Sequence, residues 1–248
     1  MLTSTFIHGQ GIGEKTERRI WESGGRDWDT FLSRHSELPL SNKQRAILLP
    51  LIEQSRKRLQ EADSAFFAQT LPSREHWRAY PEFRSSIAFI DIETTGMGFE
   101  SAITVIGLYD GKEVKSFIKG FNLGEFEDEI AKYDLLVTFF GSGFDLPHIR
   151  HKFPNLKLDG LHIDLCHLLH RLGLSGGLKS IEKKLGINRA QETAGLDGWD
   201  AVRLWHEWEY GSRAALDLLI AYNREDIVNL ATLVEYGYKE MRKRCFPE

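Results

Sequence analysis

The chain is organised around the stretch Ile87-Ala88-Phe89-Ile90-Asp91-Ile92-Glu93-Thr94-Thr95-Gly96. Its first half is a short, partly β-branched apolar run, which is typical of a buried strand. Because side chains alternate between the two faces of a strand, Asp91 and Glu93 are predicted to point the same way. Two carboxylates on one face of a buried strand repel each other unless a cation lies between them. The stretch therefore indicates a divalent metal site, although an Asp-x-Glu pair by itself also fits a solvated strand end.

The composition of the 248 residues argues against several classes of protein. A net charge of −4 does not fit a basic protein that coats duplex nucleic acid, so nucleic-acid contact would need a local patch or metal ions. Cys166 and Cys245 lack the spacing of a zinc site and are expected to be free thiols in a reducing cytoplasm. No apolar run has the length of a membrane span and no signal-peptide pattern is evident, so no membrane association is expected.

The chain is predicted to comprise an N-terminal helical segment, residues 1–80, and a main domain, residues 81–248. The glycines of the run Gly9–Gly13 resemble half of a helix-hairpin-helix, which holds a phosphate, but the second half is not evident and a turn that packs its neighbours on the core is favoured. Ser41 begins a helix with a capping box and helical apolar spacing to about residue 71. Pro50 is expected to kink or break that helix.

The pattern changes to strands from residue 85 onward. The predicted strands are 87–93, 103–109, 114–118, 135–140 and 161–164, and the predicted helices are 125–133, 146–153, 165–172, 178–185, 199–209 and 213–240. Short turns between the first three strands imply an antiparallel meander. The order predicts an α/β fold with a mixed five-stranded sheet flanked by helices, and it resembles the ribonuclease H-like fold.

Two further acidic positions follow in the chain. Asp145 comes after the fourth strand in a glycine-containing loop, where it can reach a ligand or cap the next helix. Tyr222 and Asp226 are four residues apart on an apolar helix face, so they are predicted to face the core together. A buried acid needs a partner, and a metal shared with Asp91 and Glu93 would supply one, whereas a salt bridge is the alternative.

Together these motifs resemble the DEDD superfamily of 3′→5′ exonucleases, over about residues 85–235. Asp91 and Glu93, followed by Thr95 and Gly96, match the first motif. The second motif is matched by Phe144-Asp145, and the third, Tyr-x-x-x-Asp, by Tyr222 and Asp226. Ala221 stands where the histidine branch has His, so the resemblance is to the tyrosine (DEDDy) branch and to its ribonuclease H-like predicted exonucleases. These are similar to the proofreading domains of family B polymerases.

The resemblance implies a two-metal hydrolysis of phosphodiester bonds. Two Mg²⁺ or Mn²⁺ ions would be held by four carboxylates, those of Asp91, Glu93, Asp145 and Asp226. Tyr222 would orient the attacking water, because a phenol with a pKa near 10 is more plausible as a hydrogen-bonding group than as a base. The expected substrates are the 3′ ends of single-stranded nucleic acid, with DNA favoured, RNA possible and DNA repair as the setting.

The resemblance also implies residues that bind the substrate. Glu93 and the backbone after Thr94 would contact the terminal 3′-hydroxyl group, which makes Thr94, Thr95 and Gly96 candidate substrate-binding residues. Phe144 is a candidate to stack on the terminal base, as are Phe99 and Phe140, although for Phe140 and Phe144 a core position is favoured.

One departure from the family pattern keeps other functions open. Relatives commonly carry Asn a few residues before the second-motif Asp, whereas this chain has Gly141 there. A nucleic-acid-binding or adaptor module on a degenerate nuclease scaffold is therefore the alternative to an exonuclease. A metal phosphohydrolase that acts on nucleotides or small phosphates is a third reading.

Overall fold

A computed structural model of the protein describes residues 1–98 and 100–247. By its internal contacts the chain divides into two compact units. The first contains Met1–Ser85, Asp159–His162 and the residues from Tyr238 onward, and the second contains Ser86–Leu158 and Ile163–Gly237. The boundary of an independent domain near residue 81 stays a prediction.

The N-terminal part of the first unit is helical, as predicted. Its elements are α1 (Glu14–Glu22), α2 (Trp28–Arg34), α3 (Asn42–Gln60), α4 (Ser64–Thr70), a 3₁₀ helix (Ser73–Ala79) and α5 (Tyr80–Phe83). The capping box at the start of α3 is confirmed: the Ser41 hydroxyl accepts from the amide of Gln44, whose side chain accepts from the Ser41 amide.

The predicted single helix from Ser41 to about residue 71 is wrong. Helix α3 ends at Gln60, Ala62 adopts a left-handed backbone conformation with φ of 52°, and the carboxylate of Asp63 caps α4 by accepting from the amide of Phe66. The left-handed residue ends the helical path, and the cap starts a new one. Pro50, which was expected to interrupt α3, lies inside a continuous helix.

The second unit is built on one sheet, and the predicted mixed five-stranded sheet is confirmed. The remaining elements are β1 (Ile87–Thr94), β2 (Ile103–Tyr109), β3 (Val114–Ile118), α6 (Phe126–Ile130), β4 (Leu135–Thr138), α7 (Asp145–Lys152), β5 (Leu161–Asp164), α8 (Leu165–Arg171), α9 (Leu178–Lys184), α10 (Gly198–Glu209) and α11 (Arg213–Cys245). The strand order is β3-β2-β1-β4-β5, with β1 antiparallel to β2 and parallel to β4. None of the helices within residues 1–98 and 100–247 is long and apolar enough to cross a membrane.

Strand β1 lies at the centre of the sheet, and apolar clusters cover both faces. On one face the alternate residues Ala88, Ile90 and Ile92 pack with side chains of α6 and α7. The other face packs against α10 and α11 through Val105 of β2. The alternation of side chains along β1 therefore turns Asp91 and Glu93 away from the α6 and α7 layer.

A buried cation holds together the core of the first unit. The guanidinium group of Arg78 donates to both oxygens of Glu17, at 2.9 Å each, and to Glu75 at 2.7 Å. All three side chains are at most 1% exposed. The Glu17 carboxylate also accepts from the amides of Phe6 and Ile7. Arg78 thus compensates the charge of the buried Glu17 and is the nearer of two cations at the buried Glu75, the other being Arg74 at 3.7 Å.

Replacing Arg78 with Met should destabilise the protein by about 3–5 kcal/mol, because it leaves the buried carboxylate of Glu17 without its cation and that of Glu75 without its nearest one. Urea unfolding at neutral pH measures this loss. The matched control is Arg34→Met, because Arg34 is 49% exposed and its partner Glu37 is 60% exposed, so this ion pair contributes at most about 1 kcal/mol. Equal losses in the two variants would contradict this account of the core.

Candidate active site

Three of the predicted acids meet at one end of the sheet. One oxygen from each of Asp91, Glu93 and Asp226 lies within 4.8 Å of the others. The first two come from β1 and the third from α11, and Glu93 and Asp226 are buried. These distances are short enough for a shared cation, and a set of carboxylate oxygens suits hard divalent ions such as Mg²⁺ and Mn²⁺.

Asp145 lies beside this group but not within it. It is the first residue of α7, and its carboxylate accepts from the amide of Ile92 at 3.1 Å. The N-cap position of α7 is occupied by Phe144, so Asp145 is not the N-cap residue of this helix. It lines the same cavity of about 270 Å³ as Asp91 and Tyr222. The four predicted metal ligands thus share one cavity, and their role as ligands stays a prediction.

Asn223 supports the acids of β1, and the sequence analysis did not identify it. Its side-chain amide donates to the carboxylate of Asp91 at 2.9 Å and approaches Glu93 at 3.5 Å. Gly107 makes room for this side chain, because a methyl group there would collide with the amide oxygen of Asn223. Gly107 pairs with Asp91 across β1 and β2. Asn223 directly follows Tyr222 in the third motif, which was the available signal.

Tyr222 is held by a lysine. The ammonium group of Lys179, on α9, donates to the phenolic oxygen at 2.5 Å and lies 4.3 Å from the ring centroid. Tyr222 is buried, and its side chain lines the cavity with Asp226, as the four-residue spacing predicts. Lys179 was not predicted as a site residue, because it lies 43 residues away in the chain from Tyr222.

Burial makes the charged forms of these acids costly. It raises the pKa of Asp91 well above its usual range, and the charges of Asp145, Asp226 and Glu93 act in the same direction. Burial raises the pKa of Asp145 to about 7. Burial also raises the pKa of Asp226 to about 6, although the guanidinium group of Arg189 opposes the rise. A cation bound among these carboxylates would therefore stabilise their ionised forms.

The predicted substrate-binding segment after β1 is only partly in the cavity. Thr94 lines the cavity, and its hydroxyl donates to the carbonyl of Gly96 at 2.5 Å. Thr95 instead exchanges hydrogen bonds with Ala102 across the loop. Gly96 has no left-handed φ, so the turn does not require glycine for its backbone conformation. The candidate Phe99 lies outside the described residues.

The aromatic candidates near the second motif differ in exposure. Phe144 is half-buried against the core and lines the cavity, which fits both roles considered for it. The predicted core position of Phe140 is wrong: β4 ends at Thr138, and Phe140 is 49% exposed at the cavity. Its φ of 63° is a left-handed conformation that is rare for a bulky residue. Asp164 holds it there by accepting from its amide at 2.9 Å.

Gly141, the departure from the family pattern, has a packing reason. A side chain at this position would collide with Thr138, whose hydroxyl accepts from the Gly141 amide at 3.1 Å. The glycine is therefore required by the tight turn after β4.

The match of a family model agrees with this fold. A family model described as the RNase_H superfamily matches residues 88–238. The solved structure of the family B DNA polymerase from the hyperthermophilic archaeon Pyrobaculum calidifontis is similar at 16% identity and a TM-score of 0.46, over 63% of this chain and 24% of the polymerase chain. The chain thus spans about a quarter of that polymerase. A search of curated proteins finds no match.

Replacing Asp91 with Asn should make the ion-free protein more stable near pH 8. A carboxyl group whose pKa rises on folding stabilises the fold at low pH and loses that contribution as the pH rises above its unfolded pKa of about 3.9. The variant's advantage should therefore be present at pH 8 and shrink towards pH 4. Urea unfolding in a chelator at both pH values measures it.

The matched control for this experiment is Asp128→Asn, because Asp128 is exposed on α6. It should be close to wild type at both pH values. Lower stability of Asp91→Asn than of wild type at pH 8 would contradict the repulsion described above.

Proposed function

This chain belongs to the RNase H superfamily, and from that premise we propose that it is a metal-dependent 3′→5′ exonuclease of single-stranded nucleic acid. Nucleases of this fold act on nucleic acids and generally use divalent metals. The observation that carries the proposal is the grouping of Asp91, Glu93 and Asp226 in one cavity with Asp145 and Tyr222. It supports the tyrosine branch of the DEDD exonucleases.

The residues of the cavity fit divalent ions. Asp91, Glu93, Asp145 and Asp226 would hold Mg²⁺ or Mn²⁺, and these supply an activated water and stabilise the leaving oxygen in phosphodiester hydrolysis. The remaining groups position the substrate. Asn223 keeps the two acids of β1 in place through its amide.

Tyr222 acts as a hydrogen-bond donor in this proposal. Burial raises the pKa of its phenol above the usual value, and the charges of Asp226 and Glu93 add to the rise. The phenol therefore keeps its proton at neutral pH and is no general base. Because Lys179 already donates to the phenolic oxygen, the proton of Tyr222 is left to bind the attacking water or a phosphate oxygen.

The apolar wall of the cavity suits an unpaired base. Met97, Phe140 and Phe144 line it, and the first two are largely exposed. A flat aromatic side chain at the mouth of an acidic cavity offers a stacking surface for a base that is not in a duplex. This stacking surface supports a single-stranded end as the substrate, and it does not distinguish DNA from RNA.

Replacing Asp91 with Asn should slow cleavage by at least about 100-fold, because a ligand of the ions loses its charge. The assay uses a 5′-labelled single-stranded oligonucleotide with Mn²⁺, and wild type should shorten it stepwise from the 3′ end. Because the ion-free variant is expected to be more stable than wild type at pH 8, it should be folded in the assay, and circular dichroism under the assay conditions checks this. Asp128→Asn is the control and should cleave like wild type.

The same assay separates the alternatives. Binding of the oligonucleotide without cleavage by wild type would support the adaptor reading, and preference for mononucleotides would support a phosphohydrolase. Equal rates for wild type and Asp91→Asn would contradict the proposed site. Parallel reactions with RNA and with duplexes that carry 3′ overhangs define the substrate.

Replacing Phe140 with Ala should weaken binding of a single-stranded oligonucleotide by about 5- to 150-fold. This range corresponds to the free energy gained when one base stacks on an aromatic side chain. Fluorescence anisotropy with Mn²⁺ in the inactive Asp91→Asn background measures it. Phe121→Ala is the matched control, because Phe121 is 63% exposed and does not line the cavity. An oligonucleotide whose 3′-terminal unit lacks a base should bind both variants alike. Equal losses at Phe121 and Phe140 would contradict the stacking role.

A further inference from the structure

Arg189 makes a buried contact with one of the proposed metal ligands. It lies in the segment between α9 and α10, and its side chain is 5% exposed. The guanidinium group forms an ion pair with Asp226. It also donates twice to the carboxylate of Glu182 on α9, at 2.6 and 2.8 Å. One Arg therefore connects a proposed ligand to a second buried acid.

Further hydrogen bonds fix this arrangement from both sides. The side-chain amide of Asn229, on α11 like Asp226, donates to Glu182 at 3.0 Å. The amide of Ala190, next to Arg189, donates to the carboxylate of Glu225 at 2.6 Å. Asp226, Arg189, Glu182 and Asn229 are thus connected in series by polar contacts between α9, the segment after it and α11. Such a network holds each side chain in one orientation.

The double contact with Glu182 matters for the charge of Asp226. Glu182 supplies a full negative charge to Arg189, so Arg189 is already balanced before it meets Asp226. Asp226 can then accept one hydrogen bond from the guanidinium group and keep its other oxygen and most of its charge for a cation. Metal ligands are commonly oriented by partners of this kind.

We propose that Arg189, backed by Glu182, is a positioning residue that orients Asp226 towards the bound divalent ion. This rests on the proposed function, because it takes Asp226 as a ligand. The opposite role is a guanidinium group that competes with the ion for Asp226. The two roles predict opposite changes in ion affinity when Arg189 is removed. Loss of a positioning residue should weaken ion binding, whereas loss of a competitor should strengthen it.

Mn²⁺ binding to the ion-free protein, without nucleic acid, tests the proposal. Electron paramagnetic resonance of free Mn²⁺ gives the affinity, and thermal melting by circular dichroism confirms that each variant is folded. Arg189→Met leaves Glu182 unpaired, so the deciding variant is the double substitution Arg189→Met with Glu182→Gln, which removes both charges. It should bind Mn²⁺ about 10- to 100-fold more weakly than wild type.

Two further variants complete the experiment. Arg189→Lys keeps the charge but lacks the planar fork, so its affinity should fall between those of wild type and the double variant, and it decides the outcome if the double variant does not fold. Arg203→Met is the control, because Arg203 is exposed and pairs with Asp200 and Glu207 on α10. Its affinity should equal that of wild type.

Unchanged or tighter Mn²⁺ binding by the folded double variant overturns the positioning role and leaves the proposed exonuclease untouched. The same conclusion follows from wild-type affinity in Arg189→Lys when the double variant does not fold. Failure of wild type to bind Mn²⁺ overturns both proposals together.

Discussion

Mutual repulsion among buried carboxylates is the constraint on which the rest of the second unit depends. Asp91, Glu93, Asp145 and Asp226 line one small cavity, and burial raises the pKa of each. Without compensation, such a group opposes folding as the pH rises. Cations bound in the cavity would offset this cost further, and this would couple ion binding to stability at the site.

The fold meets this constraint with donors that come from helices around the acids. Asn223 of α11 donates to the two acids of β1, Lys179 of α9 donates to the phenol of Tyr222, and Arg189 pairs with Asp226. The central strand contributes acids on one face while its other face packs in the core. Because the scaffold on both sides of β1 is rigid, the acids cannot move apart to relieve their repulsion.

The parts of the site that follow from local periodicity could be predicted from the sequence. Alternation along a buried strand placed Asp91 and Glu93 on one face, and a four-residue helical spacing placed Tyr222 with Asp226. The mixed sheet followed from the order of strands and helices. Each of these inferences uses residues that are neighbours in the chain, where backbone geometry determines direction.

Features that depend on distant partners could not be predicted. The direction of the Asp145 side chain is set by a hydrogen bond to Ile92, 53 residues away. The role of Arg189 could not be predicted from the sequence, because its contact with Asp226 depends on how α11 packs in the fold. Phe140 was assigned to a strand core, yet hydrogen bonding to Asp164 turns it out into solvent.

The most direct test of the shared ion site is anomalous diffraction from crystals soaked in Mn²⁺. We expect Mn²⁺ to be coordinated by Asp91, Glu93 and Asp226. The absence of an ion from these carboxylates at a saturating Mn²⁺ concentration would contradict the proposed site.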